Sequence, residues 1–356
     1  MTPIPLLLAL LAPFPARAQQ TSTPATPQAP AVLDSPEAAE AEVAPSSAPV
    51  ILTAVGDIRL DGPVGWIMAE RGPRAPFSAL GKELDADILF GNLECPLSKR
   101  GRKTEGKTWT FRALPRSLTA LKAAGFNLVN IANNHVMDYG PDAFEDTLKA
   151  LREHDLPFIG GGRNRDEAED LRLITVRGLR VGFLGFTSTF PEKAWATARR
   201  PGVAYSDFAR VGAVISQARA RCDVLVVSFH GGTELAEEPN DIQKAFCRLA
   251  VASGADLVLG HHPHVIQPLE LIQGKPVLHS LGNFLFVSPN PATRPTIMAR
   301  IALSGQGVKS IDFVPLDTNW GRPAPASAEN RQLLMTALDR YGVLTAQPDR
   351  FRVLAQ

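Results

Sequence analysis

Cysteine is scarce in this sequence. Cys95, Cys222 and Cys247 are the only three in 356 residues, and no two share the short spacing of a metal knuckle. That excludes a disulfide framework and disfavours a thiolate zinc knot, so buried thiols are expected. Net charge is scarce too: 37 Lys and Arg against 36 Asp and Glu leave +1. Residues 31–50 hold Asp34, Glu37, Glu40 and Glu42 with no base, and Arg17 is the only charge before them, so the chain from residue 51 onward carries +4. A surplus that small does not mark a nucleic-acid binder. No apolar run reaches the ~18 residues of a comfortable bilayer span. Gly160-Gly161-Gly162 lacks a following Lys-Ser/Thr, which excludes a nucleotide phosphate loop.

At the amino end, Pro5 to Pro15 is mostly leucine, alanine and proline and ends in Ala16-Arg17-Ala18. This small-x-small pattern reads as a secretory signal over residues 1–18, although no Lys or Arg precedes the apolar run. A periplasmic or cell-surface protein is expected. No cysteine follows the leader, which argues against a lipid anchor. Residues 19–49 are Pro, Ala, Ser, Thr and Glu, too polar to offset their ordering entropy, and read as a disordered linker.

The body alternates strands and helices from residue 50 to about 320, with a helix and tail over 321–356 expected to pack on it. Apolar runs at 50–55, 87–90, 126–131, 156–159, 223–229, 256–259 and 276–281 read as strands. Helices are expected over 117–124, 141–152, 208–220, 240–253 and 330–341. Hairpins are expected around Gly178 and around Gly305 and Gly307. Alternation of this kind implies an α/β fold of two mixed sheets with helices outside.

Five of these strands end in side chains that can ligate metal. The first ends in Gly56-Asp57. The second ends in Gly91-Asn92, with Glu94 two residues on and on the same side if the chain is extended. The third ends in Asn133-Asn134-His135, with Asp138 close behind. A later strand delivers His230-Gly231-Gly232 with Glu234 in reach. The last leads into His261, His262 and His264. In open α/β sheets, sites lie outside the carboxyl ends of the strands. The pattern therefore predicts one divalent-metal site of N and O ligands, suited to Mn, Zn or Fe, in which either Asn92 or Glu94 can supply an oxygen and His262 and His264 converge from one loop. His261 points away from its neighbour in an extended chain and is expected to pack. Lys99, Arg100, Arg102, Lys103 and Lys107 form a basic run read as a cationic lip for an anionic substrate. Asn92, Arg112, Glu234 and Asn283 are further candidates for substrate contact. The basic run has no interleaved aromatics, so nucleic acid is not an expected partner.

Gly56-Asp57, Asn92-Leu93-Glu94, Asn133-Asn134-His135 with Asp138-Tyr139-Gly140, His230-Gly231-Gly232 with Glu234, residues 260–265 and Gly282-Asn283-Phe284 together resemble the CapA family. That family is associated with bacterial capsule and poly-γ-glutamate biosynthesis and is similar to the calcineurin-like metallophosphoesterases. The resemblance implies a four-layer α/β/β/α sandwich. It implies that Asp57 is the first metal aspartate. Glu94, or alternatively Asn92, stands for the bridging carboxylate. Asn134 is a ligand, His135 assists the leaving group with Asp138 orienting it, and His230, His262 and His264 are the later histidines. The phosphoesterase pattern has Asp-x-His at the first motif, whereas here Asp57 is followed by Ile58 and Arg59. One imidazole is missing, so the resemblance implies one or two ions and not always two, and Arg59 becomes a candidate to bind an anionic group.

Three functions fit this reading. The first is an exported metal-dependent hydrolase or transferase acting on an anionic envelope polymer or a phosphorylated precursor. It would have membrane-bound capsule synthesis or export proteins as further partners. The second is a non-catalytic polymer-binding or export-assembly protein. The third is a metal-independent acid–base enzyme using Glu94, His135 or His264.

Overall fold

The computed structural model describes residues 48–346 and 351–354, so the expected leader and most of the expected linker lie outside the described residues. Two mixed sheets form the body. In the first, Val50–Ile58, Ile88–Leu93, Leu128–Asn130 and Phe158–Ile159 run parallel in that order. The hairpin of Pro295–Ser304 and Gly307–Asn319 pairs antiparallel along the other edge of Val50–Ile58. In the second, Leu179–Thr187, Val224–His230, Leu257–His261 and Lys275–Leu278 are parallel neighbours. Arg172–Val176 and Leu269–Ile272 close its two edges antiparallel.

Alternation along each strand sorts its side chains onto two apolar faces. Leu52, Phe90 and Leu128 of the first sheet meet Val181, Phe183, Val226 and Leu257 of the second in one buried cluster. Phe90 and Phe183 stack across this interface with ring centroids 6.2 Å apart. The opposite face of the first sheet, with Leu89 and Val129, packs on the helices Leu118–Ala124 and Gly140–Glu153 through Leu121, Phe144 and Leu148. The opposite face of the second, with Leu184, Leu225 and Val258, packs on Val211–Arg219 and Asp241–Ala252 through Ile215 and Phe246. Because both faces are covered, the central strands read as continuous apolar runs. The three cysteines are free and buried, as expected.

The chain after residue 320 adds more than a helix and tail. Arg322–Pro325, Thr345–Ala346 and Phe351–Leu354 extend the first sheet beside Gly307–Asn319. Two of the four residues in Arg322–Pro325 are prolines, which lack a donor and belong on sheet edges. That composition hides the strand from a pattern reading. Helix Ala328–Leu338 buries Leu334 and Leu338 in the intersheet cluster.

Registry creates the site. Asp57 pairs across the first sheet with Asn92 on one side and Asn283 on the other, and Asn92 pairs with Asn130. In the second sheet His230 pairs with Thr187 and His261. Each sheet thus carries a polar row at the carboxyl end of its parallel strands. The first row needs a close backbone approach: a Cβ on Gly56 would lie 1.9 Å from the Gly282 carbonyl oxygen. Only glycine lets Asp57 N donate to Gly282 O at 2.9 Å.

One surface clamp ties the two sheets together. Arg177, in the turn of the second sheet's edge hairpin, donates to both carboxylate oxygens of Asp87 at 2.7 Å and to Pro49 O at 2.9 Å. Asp87 also accepts from Ile51 N at 2.7 Å. The Arg177 hydrogen bonds hold the Asp87 carboxyl below its usual range, against the opposing effect of partial burial. The native state therefore favours the ionised form. Its contribution is complete above the ordinary carboxylate pKa of ~4 and is lost as pH falls through the lowered native value. Arg177→Ala is expected to lower the urea unfolding midpoint slightly at pH 7, and progressively less below pH ~4.

Candidate metal centre

Asn92 is the joint between the two polar rows. Its Nδ2 lies 2.8 Å from Asp57 Oδ1 and 3.1 Å from His230 Nδ1, while its Oδ1 accepts from Asn130 Nδ2 at 2.9 Å and Asn133 Nδ2 at 3.2 Å. Every hydrogen-bonding valence of the amide is used. Asn92 thus orients Asp57 and His230. It has nothing left for substrate, contrary to the sequence expectation. Asn133 fixes the next loop by accepting from His135 N and Val136 N through its Oδ1.

Two triplets of candidate ligand atoms gather around this joint, Glu94–His230–His262 and Asp57–Glu94–His264, with the atoms of each within 4.8 Å of one another. Glu94 belongs to both. Asn134 Oδ1 lies 2.9 Å from His230 Nε2, on the side where Glu94 Oε1 approaches at 3.4 Å. His264 Nδ1 stands 3.2 Å from Asp57 Oδ2 and 2.9 Å from Asn283 Oδ1. The structure thus brings all six expected ligands to one place. Residue 59 gives the Asp57 side no imidazole, and His264 supplies one there instead.

The donor set fits a divalent cation. Both carboxylate oxygens of Glu94 and Nδ1 of His262 are buried without any hydrogen-bond partner. Such atoms are expensive to bury unless something else satisfies them. The backbone is also forced to aim these rings: His262 has φ 100° and His264 φ 61°. Non-glycine residues in that region cost about 1–3 kcal/mol each and collect at functional sites.

The local electrostatics of His230 and His262 agree with ligation. Burial first, then the neighbouring imidazoles, hold His230 well below its usual pKa. Burial likewise takes His262 down to about 3. Both are neutral rings near pH 7, the form that ligates metal. Burial, with Asp57 adding to it, pushes Glu94 well above the carboxylate range. Burial opposes charge on His264, but Glu94 and Asp57 outweigh it and raise the ring to about 9. Asp57 is pulled below its usual value, the His264 hydrogen bond and charge overcoming burial.

Beside the candidate ligands lies a buried hydrogen-bonded group around His135. His135 Nδ1 is 2.7 Å from Asp138 Oδ2, which also accepts from Phe111 N at 2.8 Å. Lys107 Nζ pairs with Asp138 Oδ1 and donates to Asn134 O at 2.6 Å. The Phe111 ring stacks on His135 at 4.2 Å and carries the Arg59 guanidinium at 3.9 Å.

The other expected site residues are placed differently. Arg59 is held by Asp61 at 2.6 Å and donates to Val287 O at 3.4 Å, so it braces Phe111 where the sequence suggested an anion clamp. The basic run does not share one surface. Lys107 is inside the site, and Arg100 is paired with Asp146 at 2.6 Å. Lys99, Arg102 and Lys103 carry no ion pair among the described residues; Lys99 and Lys103 are exposed, as is Arg102. Arg112 lies over the Tyr139 ring at 4.0 Å. Glu234 is exposed, close enough for its charge to raise Glu94. Asn283 accepts from the His264 side with its Oδ1, and its Nδ2 is buried without a partner. Asn130 and Phe111 were not singled out by the sequence. Asn130, a lone amide ending an apolar strand, carried the available signal.

His261 is fully buried, with both ring nitrogens unpartnered and Nδ1 3.6 Å from Asp57 Oδ1. Burial takes its pKa down to about 4. No hydrogen bond is lost on removing an unpartnered ring, and an apolar group of similar size needs no partner. His261→Leu is expected to keep full metal content and to melt at or above the wild-type temperature. Loss of metal in this variant, read by elemental analysis, would make His261 a ligand.

A family model described as "Bacterial capsule synthesis protein PGA_cap" matches residues 51–288. The capsule biosynthesis protein CapA of Bacillus anthracis is 33% identical over 285 residues, which is 78% of this chain and 69% of that protein. The PGA biosynthesis protein CapA of Bacillus subtilis (strain 168) is 31% identical over 279 residues, 78% of this chain and 73% of that one. Among solved structures, the NAD nucleotidase of Haemophilus influenzae matches with a TM-score of 0.44 and 12% identity, covering 84% of this chain and 64% of its own.

Proposed function

Because the chain belongs to the PGA_cap family of bacterial capsule synthesis proteins, we propose that it acts outside the cytoplasm on an anionic envelope polymer or its activated precursor. The proposed activity is that of a metal-dependent hydrolase or transferase. The observation that carries the reading is Glu94, shared by two ligand triplets and left with two unsatisfied buried oxygens, beside the His135–Asp138 pair. The stacking of apolar clusters in the order helix, sheet, sheet, helix supports the phosphoesterase-like sandwich that the motifs imply. Export rests on the apolar leader and its Ala16-Arg17-Ala18 ending.

Asp57, Glu94, Asn134, His230, His262 and His264 would hold the cation. When bound, it supplies charge to polarise a substrate oxygen and to lower the pKa of water. His135 stands next to Asn134 and can pass a proton to the departing group. Asp138 fixes the His135 ring through Nδ1, and Lys107 balances the buried Asp138 charge. Asn92 keeps Asp57 and His230 in register between the sheets. The test is elemental analysis and turnover on one purified sample, with γ-linked oligoglutamate and phosphate esters as substrates. Protein that takes up no Mn, Zn or Fe after dialysis, and turns over neither substrate, would refute the reading.

A further inference from the structure

The segment from Ser188 to Tyr205 shows no helical or strand period, yet it is firmly built. Trp195 Nε1 donates to Thr189 O at 2.8 Å, and the Trp195 ring stacks on Tyr205 at 3.6 Å and 16°. Arg200 Nη2 donates to Trp195 O at 3.1 Å. The segment faces the His135 end of the site across a cavity of about 250 Å³. One wall is Lys107, Asn134 and Asp138, and the other includes Lys193 and Arg200. A second cavity of about 370 Å³, lined by Arg165, Tyr205 and Arg210 among others, also has Lys193 and Arg200 in its wall.

The charges around these cavities do not cancel at the shared wall. Lys107 is matched by Asp138, and Arg210 by Glu169 at 3.2 Å. Glu192 and Asp207 offset part of the charge in the second cavity. Lys193 makes no ion pair, and Arg200 donates only to the backbone carbonyls of Trp195 and Glu192, among the described residues. Both side chains are exposed. Arg200 keeps most of its planar donor fork free, and Lys193 keeps all three of its donors. Two cations with spare donors, set across a cavity from Asn134 and Asp138, are arranged to receive oxyanions.

We propose that Lys193 and Arg200 form a binding subsite for the oxyanion groups, carboxylate or phosphate, of a repeating anionic chain whose reacting bond lies at the metal centre. The next repeats would pass over Lys193 and Arg200 into the second cavity. This placement of the reacting bond rests on the function proposed above, whereas the binding itself does not.

The test measures fluorescence anisotropy of a labelled γ-linked decaglutamate on full-length, metal-loaded protein at low and rising salt, with a labelled polyphosphate in parallel. The two probes distinguish carboxylate from phosphate as the natural oxyanion. Wild type is expected to bind at least one of them, more weakly as salt rises. K193A/R200A should weaken that binding roughly 10- to 100-fold, since each lost charge-assisted contact is worth about tenfold. Its metal content and melting temperature should stay unchanged. R200K retains the charge and is expected to stay within about threefold of wild type, which separates anion binding from support of the Trp195 carbonyl. A K99A/R102A variant, altered in exposed residues of the outer basic run that line neither cavity, should also bind within about threefold, since exposed charges outside the contact are screened. The proposal is overturned if neither probe binds wild type, if K193A/R200A binds as wild type does, or if the outer-run variant loses as much as the pocket variant. A wild type that binds the chain but holds no metal would overturn only the catalytic reading.

Discussion

Glu94→Gln is expected to empty both candidate metal positions at once, while His230→Ala or His262→Ala empties only one. The reason is topological. Glu94 follows directly on Ile88–Leu93, and its carboxylate is common to the triplets Glu94–His230–His262 and Asp57–Glu94–His264. His230 and His262 occur in the first triplet alone. Glutamine keeps the shape but removes the charge that a cation needs. Because Glu94 is a direct ligand in this reading, the loss of affinity should exceed the ~10–100-fold typical of outer partners. The measurement is metal per chain by elemental analysis, after dialysis against trace Mn and Zn. Full occupancy in Glu94→Gln would remove Glu94 from the ligand set. A second readout is independent of activity. In chelator-treated protein the Glu94 carboxylate is buried with no donor, and burial raises its pKa. A neutral amide is less costly there, so metal-free Glu94→Gln should melt at or above metal-free wild type, by up to a few degrees per kcal/mol. Added Mn or Zn should then raise the wild-type melting temperature and leave the variant unmoved.

The convergence of the candidate ligands was legible in the sequence because each is a polar residue placed at or just beyond the end of an apolar strand. Asp57, Asn92 and His230 show what that rule misses by a residue or two: all three still lie within their strands, at the carboxyl ends. The parallel order of the strands then brings the ends together without further information. Side-chain assignments within the cluster were less legible. Asn92 and Glu94 are two residues apart and look equivalent in a string, yet one has every valence satisfied and the other has none. That difference comes from Asn130, Asn133 and His230, which arrive from other strands and the loop after Leu128–Asn130. The run from Lys99 to Lys107 misled for a related reason. A string shows five bases, but the loop folds back so that only Lys107 reaches Asp138, while Arg100 reaches helix Gly140–Glu153. Lys193 and Arg200 gave no periodic signal at all. Their position depends on Trp195 stacking on Tyr205 and on the second sheet placing Thr187 next to His230.

His135→Ala is expected to retain full metal content and to lower turnover by about 10²–10⁴, the usual worth of a positioned acid or base. The ring is 6% exposed, stacked on Phe111 and tied to Asp138, so its exposed edge is the only part that can face a reacting group. None of its atoms belongs to either ligand triplet, so metal content should not follow activity down. A structural role would predict a similar loss with every substrate. Proton donation predicts instead that the loss depends on the leaving group: large for an alkyl alcohol or amine, which must be protonated, and small for nitrophenolate, which need not be. Asp138→Asn tests the partner. It removes the carboxylate that orients His135 and leaves Lys107 without its counter-ion. Its effect on turnover should be smaller than that of His135→Ala, on the order of 10–100-fold, again with metal retained. The pair acts as a unit, so His135→Ala/Asp138→Asn should be scarcely slower than His135→Ala alone. A full additive loss in the double variant, or a loss equal for alkyl and nitrophenyl leaving groups, would take proton transfer away from His135.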